Sequence, residues 1–226
     1  MEHAPGLVQI IALTLGVSWA SGINLYAAML TLGLLGVTGH AQLPPGLQIL
    51  THPLVLTASG FMYAVEFFTD KIPGVDTGWD VVHSFIRIPA AAVLAAAASM
   101  EIGPAAQVAA AIIGGGLAAG SHLTKASSRV VINTSPEPVT NSVVSLTEDA
   151  LVVAGVWTAI NHPQAFFVFL ILLLGAMIWL LPKVLRGLRA LWHRLRFWKT
   201  PQPPAASDSV PLPRPGNELE SGREEK

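Results

Sequence analysis

EFFTDKIPGVDTGWDVVHSFIR, from Glu66 to Arg87, sets seven ionisable side chains between two segments that otherwise read as lipid-facing helices. Charge at or near a hydrocarbon layer is costly, so it faces a bundle interior or a wet cavity and marks function by default. Pro73-Gly74 breaks the stretch, and Asp76 or Thr77 offers a cap for the helix that follows. The segment therefore reads as helix, polar turn, helix, within a chain that crosses a membrane repeatedly.

Composition agrees. Of 226 residues, 52% are hydrophobic and only 12% charged, about half the charge of a soluble domain. The formal net charge of -1 is unevenly laid out, with a basic run at Lys183 to Lys199 offset by acids in the body and the extreme tail. Neither nucleic acid nor a polyanionic partner is implied. The absence of cysteine excludes disulfides, thiolate metal sites and a cysteine nucleophile. Walker, HExxH and GxSxG signatures are missing, and no cofactor is expected. The leader MEHAPG has no Lys or Arg, and the apolar run after it resumes at Ile23, so it reads as part of a retained membrane segment.

The expected fold is all-α: a polytopic helical membrane protein of about six transmembrane spans with broken or re-entrant helices, then an amphipathic basic helix and a disordered tail. The spans run from about 7 to 36, 53 to 68, 85 to 100, 105 to 123, 142 to 159 and 165 to 181. As one straight helix the first would measure roughly 45 Å, against a bilayer core of about 30 Å. Either it breaks within Ser18 to Asn24 (SWASGIN), with Gly22 the natural place, or it is a strongly tilted continuous helix. Residues 1–182 form the membrane domain. In 183–199 (KVLRGLRALWHRLRFWK), Val184, Leu188, Leu191, Trp192, Leu195 and Trp198 share a face. That face suits a helix in the membrane interface, and a polybasic continuation that stops transfer is the alternative. Residues 200–226 are Pro-rich and expected to be disordered.

Orientation follows from the basic residues. With a cytoplasmic N-terminus and six spans, Lys71, Arg87, Lys125, Arg129 and the 183–199 cluster fall on or near the cytoplasmic side, whereas the opposite loops (39–51, 101–104, 161–164) carry no Lys or Arg. A bacterial inner membrane with a cytoplasmic C-terminus is the expected location; a re-entrant first segment would change the side of the N-terminus.

Helical spacing groups the candidate site residues. Glu66 and Asp70 are four apart; Asp76, Asp80, His83 and Arg87 follow at four, three and four; His122, Lys125 and Arg129 at three and four. One face thus presents carboxylates, an imidazole and a guanidinium. It suits a proton or cation relay, a divalent metal on Asp76, Asp80 and His83, or an anchor for phosphate or carboxylate by Arg87 and Lys71. Structural ion pairing that fixes helix register is the alternative. Asn133, Ser135, Glu137 and Asn141 line a second Pro-broken stretch around Pro136, Glu148 and Asp149 lie in the fifth span, and Ser21 and Asn24 bring similar chemistry from the first. Aligning DVVHSFIR (80–87) with SVVSLTED (142–149) sets Arg87 opposite Asp149 and suggests two parallel polar hairpins meeting at one site.

SGINLYAAMLTLGLLG, EFFTDKIPGVDTGWDVVHSFIR and SHLTKASSRVVINTSPEPVTNSVVSLTEDALVV together resemble the bacterial integral membrane family catalogued as domain of unknown function 4126, over about residues 7 to 190. The resemblance implies a compact multi-span membrane protein and assigns no substrate and no catalytic residue. Three functions stay open. The first is a transporter or permease-like protein with a central polar site that binds a small molecule, ion or lipid. The second is a metal-dependent enzyme acting on a lipid or lipid-linked phosphate, and the third a non-catalytic scaffold. Six short spans make a thin bundle that a second copy could cover as a homodimer.

Overall fold

The longest apolar run in the chain, Leu7–Val37, forms a helix (α1) that is not continuous: Asn24 leaves helical geometry at φ -147° and ψ 98°. The break falls two residues beyond the glycine expected to supply it. The computed structural model describes residues 6–72, 74–133 and 138–197. After α1 come α2 (Pro53–Thr69), α3 (Val75–Ala98), α4 (Pro104–Ile132), α5 (Pro138–Asn161) and α6 (Pro163–Phe197). Two short 3-10 helices, Pro45–Thr51 and Met100–Ile102, fill connections, and there is no strand among the described residues. Five of the six α-helices are long and apolar enough to cross a membrane; α2, with 17 residues, is shorter. All six expected spans are helices.

The broken helix is the centre of the molecule. α2, α3, α4 and α5 all pack on α1, and α3 and α4 form the most extensive pair. Small residues make this possible: a Cβ added at Gly22 would meet Ser121 and the Ala118 backbone, and one at Gly114 would meet Ala95 and Ser18. Trp19, Val17, Val152, Val156 and Phe166 fill the core between α1, α5 and α6, with the Trp19 and Phe169 rings edge-to-face at 5.4 Å. Near the far end of α1, the Pro45–Thr51 turn inserts Leu47 and Leu50 as a plug that sits close to Gly33 of α1 and meets the α3 backbone at Ala97.

Several helices reach beyond the apolar runs that announce them. α3 begins at Val75, beside the cap expected at Asp76 or Thr77 and ten residues before its apolar span, and α4 runs on past about 123 to Ile132, carrying His122, Lys125 and Arg129 as their spacing indicated. One face of these extra turns is polar and buried (Asp76, Asp80 and His83 on α3, Lys125 and Arg129 on α4), which ends the apolar run without ending the helix. α6 spans Pro163–Phe197 with Pro182 inside it. The compact body ends at Ala190 and a second unit begins at Leu191. Pro73, Ser135, Pro136, Glu137 and the tail from 198 lie outside the described residues, as do the side chains that define the apolar face of the basic segment.

Candidate functional site

Two hairpins, α2–α3 and α4–α5, bring their polar ends together beside the α1 break. On α3 the buried residues are Asp76, Asp80, His83, Arg87, Ala91, Leu94, Ala95 and Ala98, a single stripe at spacings of three and four that is charged at one end and apolar at the other. α4 answers with Ser121, His122, Lys125 and Arg129. Glycine at position 74 starts α3 because the chain turns there at φ +88°. The Asp76 carboxylate then accepts the amides of Gly74 and Thr77 and the Asn133 side chain, fixing the helix start.

The charges form one network. Arg87 reaches Glu66 (2.5 Å) and Asp80 (3.1 Å). Lys125 has four carboxylates within 4 Å: Asp70 at 2.8 Å, Glu66 at 3.3 Å, Glu148 at 3.8 Å and Asp80 at 3.9 Å. Arg129 binds Glu148 (2.6 Å), faces Asp70 and Asp76 at 3.6 and 3.7 Å, and donates to Asn141 and the Asp70 carbonyl. Asn141 also donates to that carbonyl. Each side chain of this set is nearly or wholly withdrawn from solvent, Glu148 being the most open at 16%.

Three fixed cations (Arg87, Lys125, Arg129) thus face five buried carboxylates (Glu66, Asp70, Asp76, Asp80, Asp149) and the largely buried Glu148. One oxygen each of Glu66, Asp70, Asp76 and Asp80 has no hydrogen-bond partner among the described residues. Buried charge persists only when paired and hydrogen-bonded, so this imbalance leaves capacity for protons or another positive group.

The α1 break is held by the same network. Asn24 accepts the Ala27 amide on its side-chain oxygen, capping the second half of the helix, and donates to Asp149 at 2.9 Å. The Ile23 carbonyl takes a hydrogen bond from Lys125 at 3.0 Å, and the Trp19 carbonyl one from Ser121. An ammonium therefore sits at the negative end of the first half-helix.

Other expected residues are placed differently. Lys71 lies over the Phe67 ring and donates to the Phe67 carbonyl, outside the ion network, and partial burial lowers its pKa from the ordinary lysine value. His83 stacks on Trp79 at 4.1 Å and its Nδ1 bonds the Trp79 carbonyl. Among the described residues no group of three His, Asp or Glu side chains is placed to hold a metal ion, Asp76, Asp80 and His83 included. Ser21 is buried, with no partner for its hydroxyl among the described residues. Glu137 lies outside the described residues.

Sequence reasoning missed Tyr63, whose hydroxyl donates to Asp149 at 3.3 Å, and Ser84, which bonds His122 Nε2 at 2.6 Å. Tyr63 falls three residues before Glu66 on the same helical face, which is a signal that spacing alone could have given. Arg87 and Asp149, opposed in the hairpin alignment, are both buried but do not touch each other.

The chain belongs to the family described as a domain of unknown function (DUF4126), whose model matches residues 11–183. That range contains every member of the ion network. No curated protein and no solved structure matches the chain.

Proposed function

We propose that this member of the family is a small transporter, permease-like in design, that moves a small ion or polar solute past the break in α1. The observation that carries the reading is the break itself. Irregular backbone at membrane depth is tolerated where protein or a wet cavity covers it, and transporters place binding sites at such interruptions. Here Lys125 on the Ile23 carbonyl and Asn24 on the Ala27 amide tie the interruption to six carboxylates and three cations. A purely structural pairing would be expected to balance its charges; this set does not. The exposed basic residues Lys183, Arg186 and Arg189 favour a cytoplasmic C-terminus in a bacterial inner membrane.

The test is charge movement. Purified protein in liposomes on a solid-supported membrane is challenged with inorganic cations, phosphate, carboxylates and amino acids. At least one should give a transient current absent from empty liposomes and lost in Lys125→Met that still elutes as a single folded species. Silence across the panel, with the variant differing only in stability, would make the network structural and the scaffold reading the better one.

A further inference from the structure

Of the six carboxylates of the network, five have a Lys or Arg nitrogen within 4.0 Å: Glu66, Asp70, Asp76, Asp80 and Glu148. Asp149 has none among the described residues, although it is 7% exposed. Its two hydrogen bonds come from neutral donors, the Asn24 amide at 2.9 Å and the Tyr63 hydroxyl at 3.3 Å. A carboxylate held this way gives up the least when it takes a proton, because no ion pair is lost. It also touches the one non-helical residue of α1, and Tyr63 beside it is partly exposed.

We propose that Asp149 is the site at which this protein takes up and releases a proton, and that its charge state sets the conformation of the α1 break through Asn24. The inference rests on the transporter reading and names the ion coupled to it.

The surroundings are consistent with an exchanging group. Lys125 faces it from α4 and Lys71 from the α2–α3 turn, both beyond 4 Å, while Asp70 is the charged neighbour from α2. α1 contributes only Asn24. Glu148, next in sequence, turns about 100° away along the helix to meet Arg129. The proton is delivered by hydronium, whose O–H bond breaks to leave water as one O–H bond forms on Asp149. A proton on Oδ1 meets the Asn24 NH₂, itself a donor, so that contact must reorient; a proton on Oδ2 makes Asp149 the hydrogen-bond donor to the Tyr63 oxygen, whose own hydroxyl hydrogen turns away, and the Asn24 bond loses its charge assistance. Either way Asn24 is held less firmly, and its cap on Ala27 loosens with it.

Two readouts on the full-length protein in liposomes test this without any transport assay. In infrared difference spectra across a pH step, a carboxylic-acid carbonyl band should grow on acidification, vanish in Asp149→Asn and move in Asp149→Glu. Backbone hydrogen exchange over residues 24–28, corrected for its intrinsic pH dependence, should rise about fivefold to tenfold through the same midpoint. Asp149→Asn should show the fast exchange at every pH. A band or an exchange transition that survives in Asp149→Asn overturns the proposal. So does an unchanged midpoint in Asp149→Glu, the variant that decides if Asp149→Asn does not fold. Positive results here with no transported solute would sink the transporter reading and leave the proton site standing.

Discussion

Arg87 is the best-defined single residue of the site. Its terminal nitrogens donate to Glu66 and Asp80, and Nη1 also lies 3.3 Å from His122 Nδ1. A guanidinium can only donate, so His122 Nδ1 accepts; its Nε2 proton then goes to Ser84, whose hydroxyl donates to the Asp80 carbonyl. Removing Arg87 strands two buried carboxylates, so Arg87→Met should cost about 3–5 kcal/mol of unfolding free energy in mixed micelles. Arg87→Lys should recover little, since one ammonium cannot replace a two-pronged donor. Adding Glu66→Leu to Arg87→Met should cost less than the separate losses predict, with a coupling above about 1 kcal/mol. Strict additivity would show that the pair is not coupled. Of this arrangement the sequence displayed the stripe Asp76, Asp80, His83, Arg87 through its spacing, and all four residues are buried on one side of α3. Its pairing with Asp80, seven residues away on that stripe, is in keeping with the spacing, whereas its second partner was hidden, because Glu66 lies on another helix 21 residues away and periodicity speaks only within a helix.

At the scale of the element, α1 shows why a break is easier to foresee than to place. Length alone demanded an interruption or a steep tilt, and SWASGIN marked the region. Glycine looked like the hinge, but Gly22 stays helical and serves instead as the point where α4 comes closest. Asn24 takes the irregular conformation because its side chain replaces a backbone hydrogen bond at Ala27. The two glycine roles predict opposite outcomes. Gly22→Ala should destabilise by at least the roughly 1–3 kcal/mol typical of overpacking, because the methyl meets the Ala118 backbone as well as Ser121. Gly116→Ala, also helical but facing open space, should be neutral or stabilise by about 0.4–1 kcal/mol. Comparing the two melting temperatures in one detergent decides it, and equal losses would mean that Gly22 is not a contact point. The same element-level logic explains α4: Lys125 and Arg129 ended the apolar run but not the helix, since their charges are buried against other helices and not solvated.

Helices α2 to α5 carry their charges inward. Phe85, Ile112, Ile171 and Ile178 stand exposed on α3, α4 and α6, suited to lipid, while the charges of α2 to α5 face one another. This changes the weight of the orientation argument. Arg87, Lys125 and Arg129 carry little of it, since all three are buried and paired with carboxylates. What continues to favour that face as cytoplasmic is Lys71, partly exposed, and the exposed Lys183, Arg186 and Arg189. A chain without cysteine lets this be tested cleanly, since every labelled thiol is an introduced one. In intact cells of a bacterial host, His40→Cys and Gln164→Cys, at exposed positions in connections free of Lys and Arg, should react with a membrane-impermeant maleimide. Arg186→Cys should react only after permeabilisation. The reverse pattern would invert the molecule and leave the span count intact. Labelling of His40→Cys and Gln164→Cys from opposite sides would instead mean that an odd number of crossings separates them. The 17-residue α2 would then be a helix that enters the bundle without crossing it, and the ion network would open toward the opposite face.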